Sequence, residues 1–91
     1  MNKYAVVYSK ENCPYCSKAK ILLNNMGIVY DEFIIGDSSS GKVLLDNQHW
    51  TTREELLEVA PNARTVPQIW LDGDHIGGYT ELAKYFEPIA A

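Results

Sequence analysis

Ninety-one residues, 46% of them apolar and 22% charged, describe one small globular domain over 1–91, with no room for a second and no sign of disorder or a collagen-like repeat. Twelve acidic against eight basic residues leave a net charge of −4, which argues against a general nucleic-acid binder. Uninterrupted apolar runs are only a few residues long, so no membrane span is expected. Two cysteines and no basic-then-apolar leader point to the reducing cytoplasm rather than to a disulfide-stapled secreted scaffold.

Tyr4 to Tyr8 is rich in β-branched and aromatic residues and reads as a strand buried on both faces, followed by a polar loop from Ser9 to Asn12. Pro14 suits the first position of a helix, along which Ala19, Ile21, Leu22, Leu23 and Met26 recur at helical spacing until Gly27 stops it. Val29 to Ile35 has the composition of a second strand, so the first strand, helix and second strand form a parallel βαβ unit. Gly36 to Gly41 reads as a loop, and Lys42 to Trp50 has no clear period. Thr51 with Glu54 and Thr52 with Glu55 both show capping-box spacing, and the helix they open runs to about Ala60, before Pro61. Gln68 to Leu71 and Asp74 to Gly77 are strands joined by the hairpin turn Asp72-Gly73. A third helix runs from Tyr79 to Glu87.

The order is therefore βαβ-α-ββ-α. It predicts an α/β fold in which a four-stranded mixed sheet carries helices on both faces, the minimal thioredoxin-like arrangement.

Cys13-Pro14-Tyr15-Cys16 stands where the first strand ends and the first helix begins. The free N–H groups and the dipole of a helix start favour a thiolate over a thiol, so the expected shift of Cys13 is downward. Cys13 precedes the helix and is the more exposed sulfur; Cys16 lies in the first turn and faces inward. A thiolate at Cys13 can attack a disulfide, and Cys16 can then resolve the mixed disulfide. Zinc uses the same spacing but needs two further ligands, and His49 and His75 have no ligand spacing to each other, so no metal is expected. A purely structural bridge across so short a loop restrains little chain.

Three segments together resemble a glutaredoxin of the dithiol class. They are Lys10-Glu11-Asn12-Cys13-Pro14-Tyr15-Cys16, Arg64-Thr65-Val66-Pro67-Gln68-Ile69 and Ile76-Gly77-Gly78-Tyr79-Thr80-Glu81-Leu82. The Trp-Cys-Gly-Pro-Cys site usual in thioredoxins is absent. The resemblance implies a glutathione-dependent thiol-disulfide oxidoreductase acting on protein disulfides and glutathione mixed disulfides, with glutathione as reductant and Cys13 and Cys16 as its redox pair. It implies a monomer whose protein partners include ribonucleotide reductase as one plausible recipient.

For the ligand, the resemblance assigns Thr65, Val66 and Pro67 to backbone recognition across a cis Val66–Pro67 bond. Gly78, Tyr79 and Thr80 take the γ-glutamyl carboxylate, and Tyr15 flanks the ligand. Glu81 stands where the family usually has Asp; it either meets the ligand amine or acts as a first-turn acid. Lys10 is expected near the glycyl carboxylate, with Arg53 as a second cation beside a repelling Glu54. Arg64 matches many members, with a local capping role as the other reading. The stretch from Gly36 to Trp50 matches no common family feature; His49 reads as a surface loop residue, and Trp50 as packing against the second helix. The alternative function is a [2Fe–2S] carrier in which two chains hold the cluster through Cys13 and glutathione, a role that Pro14 disfavours.

Overall fold

The computed structural model describes residues 3–87. The chain runs β1 (Tyr4–Lys10), α1 (Pro14–Asn25), β2 (Val29–Ile35), a 3₁₀ turn at Ser38–Ser40, β3 (Gln48–Thr51), α2 (Arg53–Val59), β4 (Gln68–Leu71), β5 (Asp74–Gly77) and α3 (Tyr79–Tyr85). One mixed sheet has the order β3-β2-β1-β4-β5. β1 lies parallel to β2 and antiparallel to β4, and β5 returns along β4 as a hairpin. The expected thioredoxin-like core of four strands is present, and a fifth strand is added to it.

That fifth strand corrects the expected count. Gln48–Thr51 pairs parallel to β2, with Glu32 opposite Gln48 and Ile35 opposite Thr51. The segment is four residues long and mostly polar, so its strand character comes from its neighbour rather than from its own pattern. His49 is thus a strand residue and not a loop residue. The ring of Trp50 lies against the backbone at Gly36, where an added Cβ would stand 3.2 Å from it.

β1 also differs from expectation. It continues through Ser9 and Lys10, which pair with Ile34 and Ile35 of β2. Its burial alternates: Ala5, Val7 and Ser9 are fully buried, and Val6 and Tyr8 only partly. The cause is unequal cover on the two faces. Under α1 and α3, Ala5, Val7, Ala19, Leu23, Ile28, Ile69, Leu71 and Leu82 form the core. Each buried leucine there contributes about 1.5–3 kcal/mol. On the other face the short α2 leaves an apolar groove of about 280 Å³, bordered by Tyr4, Val6, Tyr8, Val59 and Trp70.

One ring from each strand lines up across that second face. His49 stacks on Phe33 at 4.9 Å, Phe33 on Tyr8 at 5.1 Å, Tyr8 meets Trp70 edge-on at 5.4 Å, and Trp70 stacks on His75 at 4.5 Å.

Local signals end the elements. After α1, Gly27 at φ +71° lets its own N–H donate to Asn24 O and that of Ile28 to Leu23 O, a Schellman closure. Asp72 and Gly73 both take positive φ, as the tight hairpin requires. The Thr52 hydroxyl caps α2 by accepting from Glu55 N–H at 3.1 Å. α3 ends at Tyr85, two residues short of the expected Glu87.

Candidate active site

Asn12, in the left-handed region at φ +56°, turns the chain out of β1 and into α1. Cys13 is the helix N-cap, with extended backbone, and Pro14 occupies the first helical position. The Cys16 N–H donates to Cys13 Sγ at 3.3 Å, so the sulfur fills the place a capping oxygen usually takes. Cys13 and Cys16 are joined as a disulfide. Cys16 is 1% exposed and Cys13 9%, the order expected for an inner and an outer sulfur. Cys13 Sγ lies 3.8 Å from the carbonyl oxygen of Val66, and the Val66–Pro67 bond is cis, as the resemblance implies.

Beyond Val66 a depression of about 270 Å³ is lined by Tyr15, Thr65, Val66, Pro67, Gly78, Tyr79, Thr80 and Glu81. The helix start at Pro14, the turn before β4 and the double-glycine corner before α3 therefore converge. Tyr15 stands half-exposed at its mouth, 6.1 Å from Tyr79 between ring centres. Lys18 lies 5.0 Å above the Tyr15 ring and 6.0 Å from that of Tyr79, a cation at the rim that the sequence reading had not singled out. Glu81 turns back on its own helix, and its Oε1 accepts the Gly78 N–H at 2.7 Å. That contact is the first-turn role held open for Glu81, and it sits on the wall of the depression.

Lys10 and Arg53 are not in this depression. They line an adjoining one of about 140 Å³ that shares Thr65 and Val66 and also includes Arg64. None of these three cations forms a salt bridge among the described residues. Arg64 thus joins the charged wall rather than pairing locally, and Glu54 does not line it.

Cys13 also lines a wider cleft of about 530 Å³, which holds a feature the sequence did not announce. Glu32 of β2 is 3% exposed. Its carboxylate accepts from Ser9 Oγ at 2.6 Å and Gln48 Nε2 at 2.9 Å, and pairs with Lys20 Nζ at 3.0 Å. Burial alone pushes this carboxyl up; the hydrogen bonds from Gln48 and Ser9 and the Lys20 ammonium outweigh it and hold Glu32 below the ordinary carboxylate range. Glu32 and Lys20 line the cleft together with Cys13 and Cys16.

No helix among the described residues is long and apolar enough to cross a membrane.

The glutaredoxin family model matches residues 5–76. Glutaredoxin 3 of Escherichia coli is 40% identical over 76 residues, covering 84% of this chain and 77% of that protein. The hybrid peroxiredoxin hyPrx5 of Haemophilus influenzae is 36% identical over 80 residues; these cover 88% of this chain but 28% of that protein, so the chain spans little more than a quarter of it. Among solved structures, glutaredoxin 1 of Francisella tularensis, complexed with cacodylate, superposes with a TM-score of 0.67 at 30% identity over 90% of both chains. The buckwheat glutaredoxin–glutathione complex gives 0.66 at 32% identity, over 90% of this chain and 66% of that one. A family match running from β1 to β5, through the dithiol turn and the cis-proline segment, makes this chain a glutaredoxin and so a thiol oxidoreductase.

Proposed function

We propose that the chain reduces glutathione mixed disulfides and protein disulfides, with Cys13 as nucleophile, Cys16 as resolving thiol and glutathione as reductant. The observation that carries this reading is the position of Cys13. Its sulfur caps α1, accepts the Cys16 N–H, and borders the Val66 carbonyl at the edge of a depression sized for a small peptide.

In the reduced protein the N-cap geometry stabilises a Cys13 thiolate. That thiolate attacks one sulfur of a disulfide, and the other sulfur leaves as a thiolate and takes up a proton. With a protein disulfide, Cys16 then attacks Cys13 Sγ and releases the substrate as a dithiol, leaving the Cys13–Cys16 bridge. With a glutathione mixed disulfide, Cys13 takes the glutathione and a second glutathione removes it.

The ligand assignment follows the chemistry of each wall. Thr65 and Val66, leading into Pro67, offer backbone groups to an extended peptide as an added strand would. Gly78, Tyr79 and Thr80 meet the γ-glutamyl end, with Glu81 facing its amine. Lys10, Arg53 and Arg64 supply positive charge for the glycyl carboxylate. The buckwheat relative was solved as a glutathione complex, which favours this ligand. Ribonucleotide reductase is one protein recipient that family membership suggests, in a cytoplasmic setting.

The deciding experiment couples turnover of a small glutathione mixed disulfide to glutathione reductase and NADPH. Cys13→Ser is expected to abolish activity. Cys16→Ser is expected to retain turnover of the mixed disulfide and to lose reduction of protein disulfides. Equal loss in both assays would refute the division of roles.

A further inference from the structure

Cys13 lines the wider cleft, and the proposed function places no ligand there. The depression from Tyr15 to Glu81 takes glutathione. The wider cleft shares no lining residue with it and contains both sulfur-bearing residues. A polypeptide joined to Cys13 through its own cysteine has to leave the sulfur in some direction, and this cleft is the larger of the two.

The segment between β2 and β3 reaches the cleft at a single residue. Lys42 lines the cleft alongside Lys10. Directly after it, Val43 is 87% exposed and Leu45 68%. Apolar side chains this open bury little of their surface in the folded chain. The segment is nevertheless held in place. Lys42 N–H donates to Ser40 Oγ at 3.2 Å, and Leu45 N–H to Gln48 Oε1 at 2.9 Å. The other end of that same Gln48 amide donates to Glu32 on the cleft wall. Leu45 is thus tied through Gln48 to the strand that carries Glu32.

Charge selects the occupant. Lys20 is committed to Glu32, whereas Lys10 and Lys42 form no salt bridge among the described residues and face a single further acid on the cleft, Glu11. A chain of net charge −4 therefore presents a locally positive cleft, and the lining residue Lys42 is followed in the chain by two exposed apolar side chains.

We propose that Lys42, Val43 and Leu45 form a docking element for protein disulfide substrates that carry a carboxylate and an apolar side chain beside the attacked cysteine. This rests on the oxidoreductase reading above and names the substrate class of the dithiol route. The polypeptide stays bound there while its sulfur is bonded to Cys13. It departs as a thiol when Cys16 attacks Cys13 Sγ, so two electrons pass from the Cys13–Cys16 dithiol to the substrate disulfide. Glutathione restores the dithiol.

The test uses two disulfide-linked peptides, one with Leu and Asp flanking its cysteines and one with Ser and Lys there, together with a small glutathione mixed disulfide. The variants are Val43→Ser/Leu45→Ser and Lys42→Ala, all at exposed positions that leave the core untouched. Wild type is expected to prefer the Leu/Asp peptide by about tenfold in kcat/KM. Each variant is expected to lower that value by about three- to fivefold, through KM. The Ser/Lys peptide and the small mixed disulfide should stay within about twofold of wild type. No preference in wild type, or equal loss on all three substrates, overturns the docking element while leaving the oxidoreductase reading standing. No turnover of the small mixed disulfide by wild type overturns that reading, and the docking element with it.

Discussion

Gln68 holds the segment that leads into the cis proline: its Nε2 donates to the carbonyl of Thr65 at 2.9 Å. With the amide nitrogen so placed, the amide oxygen accepts, and His75 Nε2 donates to it at 2.8 Å. A residue on β5 is thereby linked to the backbone that borders Cys13. Gln68→Ala is expected to raise KM for a glutathione mixed disulfide by about three- to tenfold and to change kcat by less than about twofold, because a positioning contact of about 1 kcal/mol is lost without touching the sulfurs. Steady-state kinetics check this. A fall in kcat at unchanged KM would contradict the positioning role.

Glu81 has two tasks that substitution separates. Gln keeps an oxygen to accept the Gly78 N–H and loses the charge; Ala loses both. Glu81→Ala is expected to destabilise the protein by about 0.5–2 kcal/mol in urea, and Glu81→Gln by much less. Both are expected to weaken glutathione binding by about fivefold or more, read by calorimetry on the reduced protein. Unchanged binding in Glu81→Gln would reduce Glu81 to a helix cap.

The charged wall predicts a salt dependence. Lys10, Arg53 and Arg64 face solvent around a small depression, so added salt screens their pull on an anionic tripeptide. KM for the glutathione mixed disulfide should rise between low and physiological ionic strength. Arg53→Ala and Arg64→Ala should each raise KM by about two- to fivefold and flatten that rise. A salt response unchanged by either variant would remove these residues from the ligand site.

The pair of Glu32 and Lys20 predicts the acid limb of stability. The folded-state pKa of Glu32 is depressed. Its contribution to stability is therefore fully present above the unfolded carboxylate value and is lost as pH falls through the folded value. Urea midpoints measured from neutral pH down to about pH 3 should fall for wild type, and the fall should be shallower in Glu32→Gln, which keeps hydrogen-bonding atoms but no charge. Lys20→Met leaves the buried carboxylate without its cation. It is expected to cost about 1–3 kcal/mol at neutral pH, less than for a sealed pair because the ammonium reaches the cleft.

The sequence was most readable where a local rule decides the outcome. Pro14 after Cys13, Gly27 after the apolar helix face, and Asp72-Gly73 between two strands each call for a particular backbone, and each has it. The residues expected to face glutathione on the resemblance also converge, apart from Lys10 and Arg53, which line the neighbouring depression with Arg64. What escaped depends on distant parts of the chain. Gln48 to Thr51 is a strand because β2 offers an open edge, and nothing within those four residues states it. Nothing in the sequence around Glu32 marks it as buried. Its burial depends on Ser9, Lys20 and Gln48, which reach it from three other elements. The half-buried face of β1 follows from the shortness of α2, which no property of Tyr4 to Tyr8 reveals.

The row of rings from His49 to His75 draws one side chain from every strand, and so it exists only when all five are in place. Trp70 sits within that row, in contact with Tyr8 on one side and His75 on the other. With Trp50 on β3 replaced by Phe, the fluorescence and near-ultraviolet dichroism of Trp70 become an intrinsic gauge of sheet assembly. Loosening of the hairpin would reach the indole directly through His75, whereas loosening at the β3 edge would reach it only by way of Phe33 and Tyr8. The fold carries its own optical label for whether it opens strand by strand or all at once.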